Sequence, residues 1–507
     1  MSADLPARPS LEHLRKQAKS LLAQYEQQLP DALRRFSGLA HPPRSGDAKL
    51  ADAQHVIARE HGFETWAALK AHVEAAAPPV DPMEALAAVV RTNDVVQVGR
   101  VLQQHRELRS RLDEAIPGGA FGATALLTAV HRGNKEMVDL LLREGANING
   151  RSHWWAGSFG VLDGDHALVP YLIERGAHVD AYAAARLGML DRLRGLVNEN
   201  AALVHMRGGD GQTPLHVAAN LEIARFLVDH GAEIDARDVD HESTPAQYMV
   251  RDRQEIARYL VGLGARTDIL MSAALGDLER VRGHLDADPA SIRTEVSEEF
   301  FPKIDRRAGG TIYIWTLGAH KTAHVIAREF GHEDVFRFLM ERSPAELKLA
   351  LASELGDEAL LHSLLEREPD LVHRLPESDR RRFVNAAQDN NLAAVRLMLS
   401  VGWPLDARGQ HGATALHWAA FHGNAEMARE ILRYGPPLEL ADRDFNGRPL
   451  GWAIHASLHG WHPEAGDYAG VVRALLDAGA MAPEVDDSLR ASEAVMKELA
   501  GRQEGRR

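Results

Sequence analysis

The nine residues GQTPLHVAA at 211–219 recur as GATALHWAA at 412–420 and, with more changes, as GATALLTAV at 122–130. Each copy opens on a glycine and soon reaches a threonine, and it continues into a segment rich in alanine and leucine. A second apolar segment follows and ends in a glycine–alanine pair, as in GANIN at 145–149 and GAEID at 231–235. Apolar residues at helical spacing between such turns predict pairs of short helices, repeated along the chain.

These residues resemble the ankyrin repeat, a unit of about 33 residues with a Thr-Pro-Leu-His-x-Ala signature. The resemblance implies an all-α fold, an ankyrin-repeat solenoid of stacked helical hairpins, with irregular loop insertions in this chain. The array is also similar to degenerate ankyrin arrays of bacterial proteins that carry an N-terminal helical cap, a likeness that implies no particular activity. Weaker copies of the unit begin near Glu84, Tyr182, Ser243, Ile269, Lys321, Ala345, Asp379 and Gly447.

The signature residues of the repeat have physical roles. A threonine in the turn, such as Thr213, caps the start of a helix, and Pro214 in the first helical turn loses no hydrogen bond. A glycine after the second helix, such as Gly145, supplies a left-handed C-cap. His216 and His417 match the repeat's own histidine. The resemblance therefore implies that they bond a neighbouring turn and take no part in catalysis.

The N-terminal segment carries an echo of the repeat. HVIARE at 55–60 recurs at 324–329, and each copy is followed by a phenylalanine, a glycine and an acidic residue. We therefore expect a cap or a diverged repeat in this segment, built on the same hairpin. The expected parts of the chain are an N-terminal helical region at 1–77, repeats at 78–342 with insertions at 151–166 and 295–318, repeats at 343–481 with an insertion at 455–468, and a C-terminal cap helix and tail at 482–507.

Composition narrows the classes of function. The chain has 507 residues, and its 58 Lys and Arg against 72 Asp and Glu give a formal net charge of −14. An acidic chain repels phosphate backbones, so nucleic acid is not an expected partner. The absence of cysteine excludes disulfides and thiolate metal sites. Without a signal-type segment or a long apolar run, we expect no membrane partner and a cytoplasmic location.

The first insertion, 151–166, replaces a turn and a first helix. Trp154 and Trp155 stand side by side in a glycine-rich loop, with Asp163 and His166 downstream. Two adjacent tryptophans could form a stacking wall for a ligand. The alternative is that they plug the array where a helix is missing.

The second insertion, 295–318, ends in weakly alternating residues from Ile312 to Trp315, which predict a short strand or hairpin arm. Such an arm could cover a groove or join two copies of the chain. His320 and Lys321 follow as candidate binding residues. His320 and His324 have the i, i+4 spacing that suits two metal ligands on one helix face, but no further metal-binding motif accompanies them, and no metal site is predicted.

The third insertion, 455–468, lengthens the link between the two helices of the last full repeat. It holds the densest group of ligand-capable side chains in the sequence. Packing over the preceding repeat, ligand binding, and metal binding or acid–base chemistry are the three interpretations of this group. The candidate residues here and in the repeat beneath are Trp418, His422, Trp452, His455, His459, Trp461, His462, Asp467 and Tyr468.

The resemblance favours a protein-binding scaffold, since ankyrin arrays bind proteins through turn tips and inner helices on one concave face. The partner's identity does not follow from the sequence. A small-molecule-binding protein or an enzyme that uses the three insertions is the alternative. No catalytic residues and no cofactor are assigned, and the sequence favours a non-enzyme.

Overall fold

The computed structural model describes residues 11–39, 42–44, 47–76, 81–164, 167–484 and 489–504. Internal contacts divide the chain after His178 into two units, residues 1–178 and 179–507. Within the described residues the regular structure is helical, and the one β-type pairing is an isolated antiparallel bridge between Glu295 and Thr322.

Within its described residues, the first unit contains nine α-helices. They are α1 Leu11–Glu26, α2 Pro30–Ser37, α3 Leu50–Glu60, α4 Trp66–Ala76, α5 Pro82–Arg91, α6 Val95–Gln104, α7 Ala125–His131, α8 Lys135–Arg143 and α9 Val169–Glu174. Helices α1 to α4 share a core that includes Leu14, Phe36 and Ile57. The next two hairpins stack on each other, α5 on α7 and α6 on α8.

The second unit contains the remaining helices. They are α10 Ala181–Arg186, α11 Leu190–Glu199, α12 Leu221–Asp229, α13 Pro245–Met249, α14 Gln254–Gly262, α15 Ile269–Ala274, α16 Leu278–Ala287, α17 Ala323–Glu329, α18 Glu333–Arg342, α19 Ala345–Leu355, α20 Glu358–Arg367, α21 Glu377–Arg380, α22 Arg382–Gln388, α23 Leu392–Ser400, α24 Ala415–Phe421, α25 Ala425–Leu432, α26 Pro449–His459, α27 Tyr468–Asp477 and α28 Glu493–Glu504.

Hairpins in the second unit pack side by side in chain order. First helices contact first helices, as α15 contacts α17 and α24 contacts α26. Second helices likewise contact second helices, as α12 contacts α14 and α25 contacts α27. Each hairpin therefore buries its apolar face against its neighbours.

The repeat signature produces the caps that the sequence predicts. The Thr124 hydroxyl accepts a hydrogen bond from the Leu127 amide at 3.2 Å, at the start of α7. Gly145 and Gly231 follow α8 and α12 with φ of 108° and 95°, which a side chain would disfavour.

Two elements differ from the sequence prediction. Residues 214–217 form turns and not a full helix. Asn220 follows Ala219 directly and caps α12, since its side chain accepts from the Ile223 amide at 3.0 Å. The strand predicted at Ile312 is also wrong, since Ile314–Gly318 forms a π-helical turn.

Candidate binding surface

Four aromatic side chains from the last two repeats form one cluster, here called the aromatic cluster: Trp418, Phe421, Trp452 and Trp461. The Trp418 and Trp461 rings stack with their centroids 5.8 Å apart and their planes inclined by 29°. Phe421 meets Trp461 edge-on at 5.1 Å, and Trp452 meets Trp418 edge-on at 5.3 Å. Such offset and edge-on contacts are the favourable geometries for aromatic pairs.

Helix spacing and one aspartate hold the inner residues of the aromatic cluster in place. Trp418 and Phe421 are three residues apart on α24 and so share a face. Trp452 on α26 donates its indole N–H to the Asp442 carboxylate at 2.9 Å. Asp442 also accepts from the backbone amides of Phe445 and Gly447, at 2.6 and 2.8 Å. A carboxylate that accepts three hydrogen bonds therefore holds Trp452 in place.

The outer part of the cluster is open to solvent. Trp418 is 3% exposed, whereas Trp461 is 58% exposed. Phe445, whose ring lies 6.4 Å from that of Trp452, is 68% exposed. The His411 ring lies 5.2 Å from Phe445 and 6.3 Å from Trp418. Exposed aromatic rings thus rest on a rigid buried layer, the arrangement typical of an interface anchor.

Two histidines border the cluster on one side. His422 is buried, with its Nε2 2.7 Å from the Gln388 carbonyl, and burial lowers its pKa. The exposed His462 ring stacks at 6.4 Å on His422. A neutral His422 donates to Gln388 and joins two neighbouring repeats.

The other candidates of the third insertion have separate positions. His455 and His459 lie on the exposed side of α26, with their ring centroids 5.0 Å apart. The Asp467 carboxylate caps α27 through the Gly470 amide at 2.8 Å. The buried Tyr468 donates its hydroxyl to the Phe421 carbonyl at 3.2 Å. Asp467 and Tyr468 thus fix the conformation of the insertion, while His455 and His459 face solvent.

The first insertion lies in the first unit, where Trp154 and Trp155 are half-buried. Trp154 packs edge-on against Phe121 at 5.0 Å and lies 6.0 Å from Trp155. Asp163 is buried in an ion pair of 2.8 Å with Arg151 and accepts from the Gly160 amide at 2.7 Å. The candidate His166 lies outside the described residues.

A cavity of about 490 Å³ lies beside the first insertion. Its wall includes Phe121, Leu127, Phe159, Asp163 and Arg132. Phe121 has φ of 54°, an uncommon conformation for a bulky residue, and its ring is more than half exposed. Mostly apolar walls with a few charged groups are typical of small-molecule pockets.

The second insertion packs against repeat tips of the second unit, which are the turns that join one helical hairpin to the next. Trp315 is 59% exposed, and its ring lies 4.7 Å from the His241 ring. The Lys321 ammonium pairs with Glu329 at 2.6 Å. His320 has φ of 63°, and burial lowers its pKa to about 4.

The i, i+4 spacing of His320 and His324 does not place the two histidines on one helix face. Helix α17 begins at Ala323, with Thr322 as its N-cap, so His320 precedes the helix. His324 is fully buried, with its Nε2 2.8 Å from the Ser343 hydroxyl, and burial lowers its pKa to about 3. Its bonding is that of a core residue.

A second cavity of about 490 Å³ separates the second insertion from the tips. Phe300, Phe301 and Pro302 line one side, while Arg237, Arg266 and His241 are on the other. Sequence reasoning did not single out this cavity, Phe421 of the aromatic cluster, or Phe445 beside Trp452. The spacing of Phe445, three residues after Asp442 in a repeat tip, was the available signal.

The stack of helical hairpins defines the class of protein. A sequence model described as "Ankyrin repeats (3 copies)" matches residues 181–271, 347–444 and 383–486, and a single-repeat model matches residues 121–153. Together the matches cover just over half of the chain. The chain belongs to the ankyrin-repeat family, and the predicted all-α ankyrin-repeat fold is confirmed. Ankyrin repeats generally mediate protein–protein interactions, so the chain belongs to a class of interaction scaffolds.

Curated relatives match parts of the chain. Palmitoyltransferase Hip14 of Drosophila melanogaster is 26% identical over 118 residues, which are 23% of this chain and 17% of the relative. Human ankyrin repeat and SOCS box protein 16 is 26% identical over 261 residues, 51% of this chain and 49% of the relative. The Notch-regulated ankyrin repeat-containing protein of Xenopus laevis is 28% identical over 89 residues, 17% of this chain and 73% of the relative.

The chain therefore spans half or less of the length of the first two of these relatives. Among solved structures, the human ASB11 ankyrin repeat domain is 16% identical, with 60% of this chain and 99% of that chain covered and a TM-score of 0.24. None of the described helices is long and apolar enough to cross a bilayer.

Proposed function

We propose that the protein is a scaffold that holds a protein partner at the aromatic cluster and the adjoining repeat tips. The exposed Trp461 ring, stacked on the buried Trp418, is the observation that supports this proposal. Tryptophan is enriched among residues that dominate binding energy, and such anchors are most effective when their surroundings are already rigid. The cytoplasmic location stays a prediction.

Site-specific cross-linking tests the proposal. A photoreactive amino acid at position 461 would be compared in the native host with the same group at position 434, since Tyr434 is also half exposed but lies after α25. We expect a discrete cross-linked protein from position 461 that is absent from position 434. Identical products from both positions would contradict the proposal.

A substitution then measures the contribution of the anchor. Trp461→Ala should reduce the affinity for the cross-linked partner at least about tenfold, because a hot-spot tryptophan contributes about 2 kcal/mol or more. Tyr434→Ala is the matched control and should leave binding unchanged. Equal affinity of the Trp461→Ala variant and the wild type would exclude the aromatic cluster as the anchor.

A second candidate function is small-molecule binding in the cavity beside the first insertion. Its volume of about 490 Å³ lies within the range of about 300–1,000 Å³ that ligand sites occupy. Phe121→Ser should lower the binding of an apolar reporter dye such as ANS, while Trp461→Ala should not. The reverse pattern would assign dye binding to the aromatic cluster.

A further inference from the structure

Three ligand-type side chains meet at a repeat tip beneath the second insertion. One carboxylate oxygen each from Asp210 and Asp240 and a ring nitrogen of His241 lie within 4.8 Å of one another. Asp240 is 6% exposed, and His241 and Asp210 are partly buried. Their proximity follows from the backbone, because the Asp210 carbonyl accepts hydrogen bonds from the amides of Val239 and Asp240 at 2.9 and 3.0 Å.

The orientation of the His241 ring determines which nitrogen faces the carboxylates. Its Nδ1 lies 2.9 Å from the Gly310 carbonyl. A carbonyl oxygen accepts but does not donate, so Nδ1 carries a hydrogen. In the neutral ring, Nε2 is then a lone-pair nitrogen, and it lies 3.6 Å from Oδ2 of Asp240.

This separation indicates a shared ion better than it indicates a hydrogen bond. Hydrogen bonds from N–H to oxygen span about 2.7–3.2 Å, so 3.6 Å is too long. Two atoms bound to one tetrahedral ion at about 2.0–2.1 Å lie about 3.3–3.5 Å apart. With a neutral His241 ring, the Nε2 lone pair and the carboxylate oxygen that face each other at this distance repel unless a cation lies between them.

Backbone groups around Asp240 and His241 fix the orientation of both side chains. Hydrogen bonds of this kind also orient the ligands of bound metals. The Gly309 amide donates to Oδ1 of Asp240 at 3.2 Å, which leaves Oδ2 directed toward His241. The carboxylate of Asp238 accepts from the His241 amide at 2.8 Å. Histidines that bind metals usually donate the N–H of their second ring nitrogen to a backbone carbonyl or carboxylate, as His241 does here to Gly310.

We propose that Asp210, Asp240 and His241 bind a divalent first-row transition metal ion, with Zn²⁺ as the reference ion. The imidazole ligand favours such ions over Ca²⁺ and Mg²⁺, which prefer oxygen ligands alone. His241 and Gly310 also line the cavity under the second insertion. This site is independent of the proposed partner site at the aromatic cluster.

Calorimetry with Zn²⁺ alone tests the proposal on the full chain after treatment with a chelator. We expect one site per chain that His241→Gln and Asp240→Asn each weaken at least about tenfold. His411→Gln is the matched control, because His411 stands at another tip in the place that corresponds to Asp210 and faces a single carboxylate, Asp444, at 2.9 Å. It should leave Zn²⁺ affinity unchanged.

Two further measurements keep the test decisive if a ligand variant fails to fold. A Cβ at position 309 would lie 3.1 Å from Oδ2 of Asp240 and 3.2 Å from the His241 ring, so Gly309→Ala should also weaken binding. X-ray absorption at the zinc edge of the wild type should show one imidazole with oxygen ligands.

Three results would overturn the proposal. They are unchanged affinity in folded His241→Gln protein, a wild-type spectrum with two imidazoles, and loss of the site in His455→Gln. The last two would place the ion on the exposed His455 and His459 pair.

Discussion

Two repeat tips of the second unit have the same backbone framework and different surroundings. In the tip that contains His241, here called the covered tip, Asp238 accepts from the amides of His241 and Ser243. In the tip that contains Phe445, the open tip, Asp442 accepts in the same way from Phe445 and Gly447. A position ten residues after each aspartate completes the match, with Tyr248 and Trp452 donating to the respective carboxylates at 2.9 Å.

The tips differ in two side chains and in what lies over them. Asp210 and His241 at the covered tip correspond to His411 and Phe445 at the open tip. The second insertion covers His241 with Gly310 and Trp315. Phe445 has no such cover and is mostly exposed. The comparison shows that the framework places side chains, while the identity of two residues and one insertion decide what the tip can bind.

The largest expected loss of stability comes from detaching the second insertion, which covers His241. Arg382 is 4% exposed and lies 3.6 Å from Glu295 of the insertion and 2.9 Å from Glu354 of α19. Arg382→Ala should lower the free energy of unfolding by about 3–5 kcal/mol, because it removes the nearest counter-charge of the buried Glu295 and the partly buried Glu354. Urea denaturation measures the loss, and hydrogen exchange should rise in residues 309–318.

The control for that change is Arg374→Ala, which removes an exposed ion pair with Glu368 and should leave the urea midpoint unchanged. Unaltered exchange at the covered tip in Arg382→Ala would show that the insertion is held there by other contacts.

The next largest expected effect comes from replacing the repeat histidines His216 and His417. It tests whether the backbone frameworks of the two tips are equivalent. Nδ1 of His216 accepts from the Thr213 amide, and Nδ1 of His417 accepts from the Thr414 amide, both at 3.1 Å. Their Nε2 atoms donate to the Ser243 and Gly447 carbonyls, again at 3.1 Å. His216→Ala and His417→Ala should therefore each cost about 2–4 kcal/mol of unfolding free energy, through lost hydrogen bonds and a cavity.

Urea titrations of both alanine variants, with His230→Ala at an exposed position as control, measure the effect. Costs for His216→Ala and His417→Ala that differ by more than about 2 kcal/mol would show that the surroundings of the two tips outweigh their common framework.

His216 and His417 should also make the stability of the protein depend on pH. Burial lowers the pKa of His216 to about 3 and that of His417 to about 4, from an ordinary value of 6.5. Between about pH 6.5 and pH 4 the unfolded chain binds protons that these folded histidines do not, so acid destabilises the protein. Each histidine contributes a slope of up to about 1.4 kcal/mol per pH unit.

Unfolding free energies of the wild type and His417→Gln, measured across this pH range, isolate the contribution of one histidine. The variant should lose less stability than the wild type on acidification. Parallel pH curves would mean that His417 titrates alike in both states.

The smallest expected change in stability comes from replacing either of the two exposed tryptophans. Trp461 near the open tip and Trp315 at the covered tip are 58% and 59% exposed. Each alanine substitution should cost less than about 1 kcal/mol, as is usual for mostly exposed side chains. We expect Trp461→Ala to lower the affinity for the cross-linked partner at least about tenfold and Trp315→Ala to leave it unchanged. Equal loss in both variants would indicate a partner that spans both tips.

Sequence reasoning identified part of the candidate surface. Trp418, Trp452 and Trp461 were singled out, and the structure brings them into one cluster. Asp210 and His241 were missed, because residues about 30 positions apart show no local spacing pattern. The strand prediction failed at Ile312 and Tyr313, since both neighbours are buried, whereas alternate residues of a strand point to opposite faces.

The sequence alone determined the repeat, because the caps and turns around Thr414 and Gly231 depend on residues within a few positions of each other. Tertiary structure alone decided how the insertions are used. The Gly310 carbonyl reaches His241 across 69 residues, and Trp461 lies on Trp418 only because consecutive hairpins stack. Such contacts arise from packing between repeats, and no spacing within one repeat encodes them.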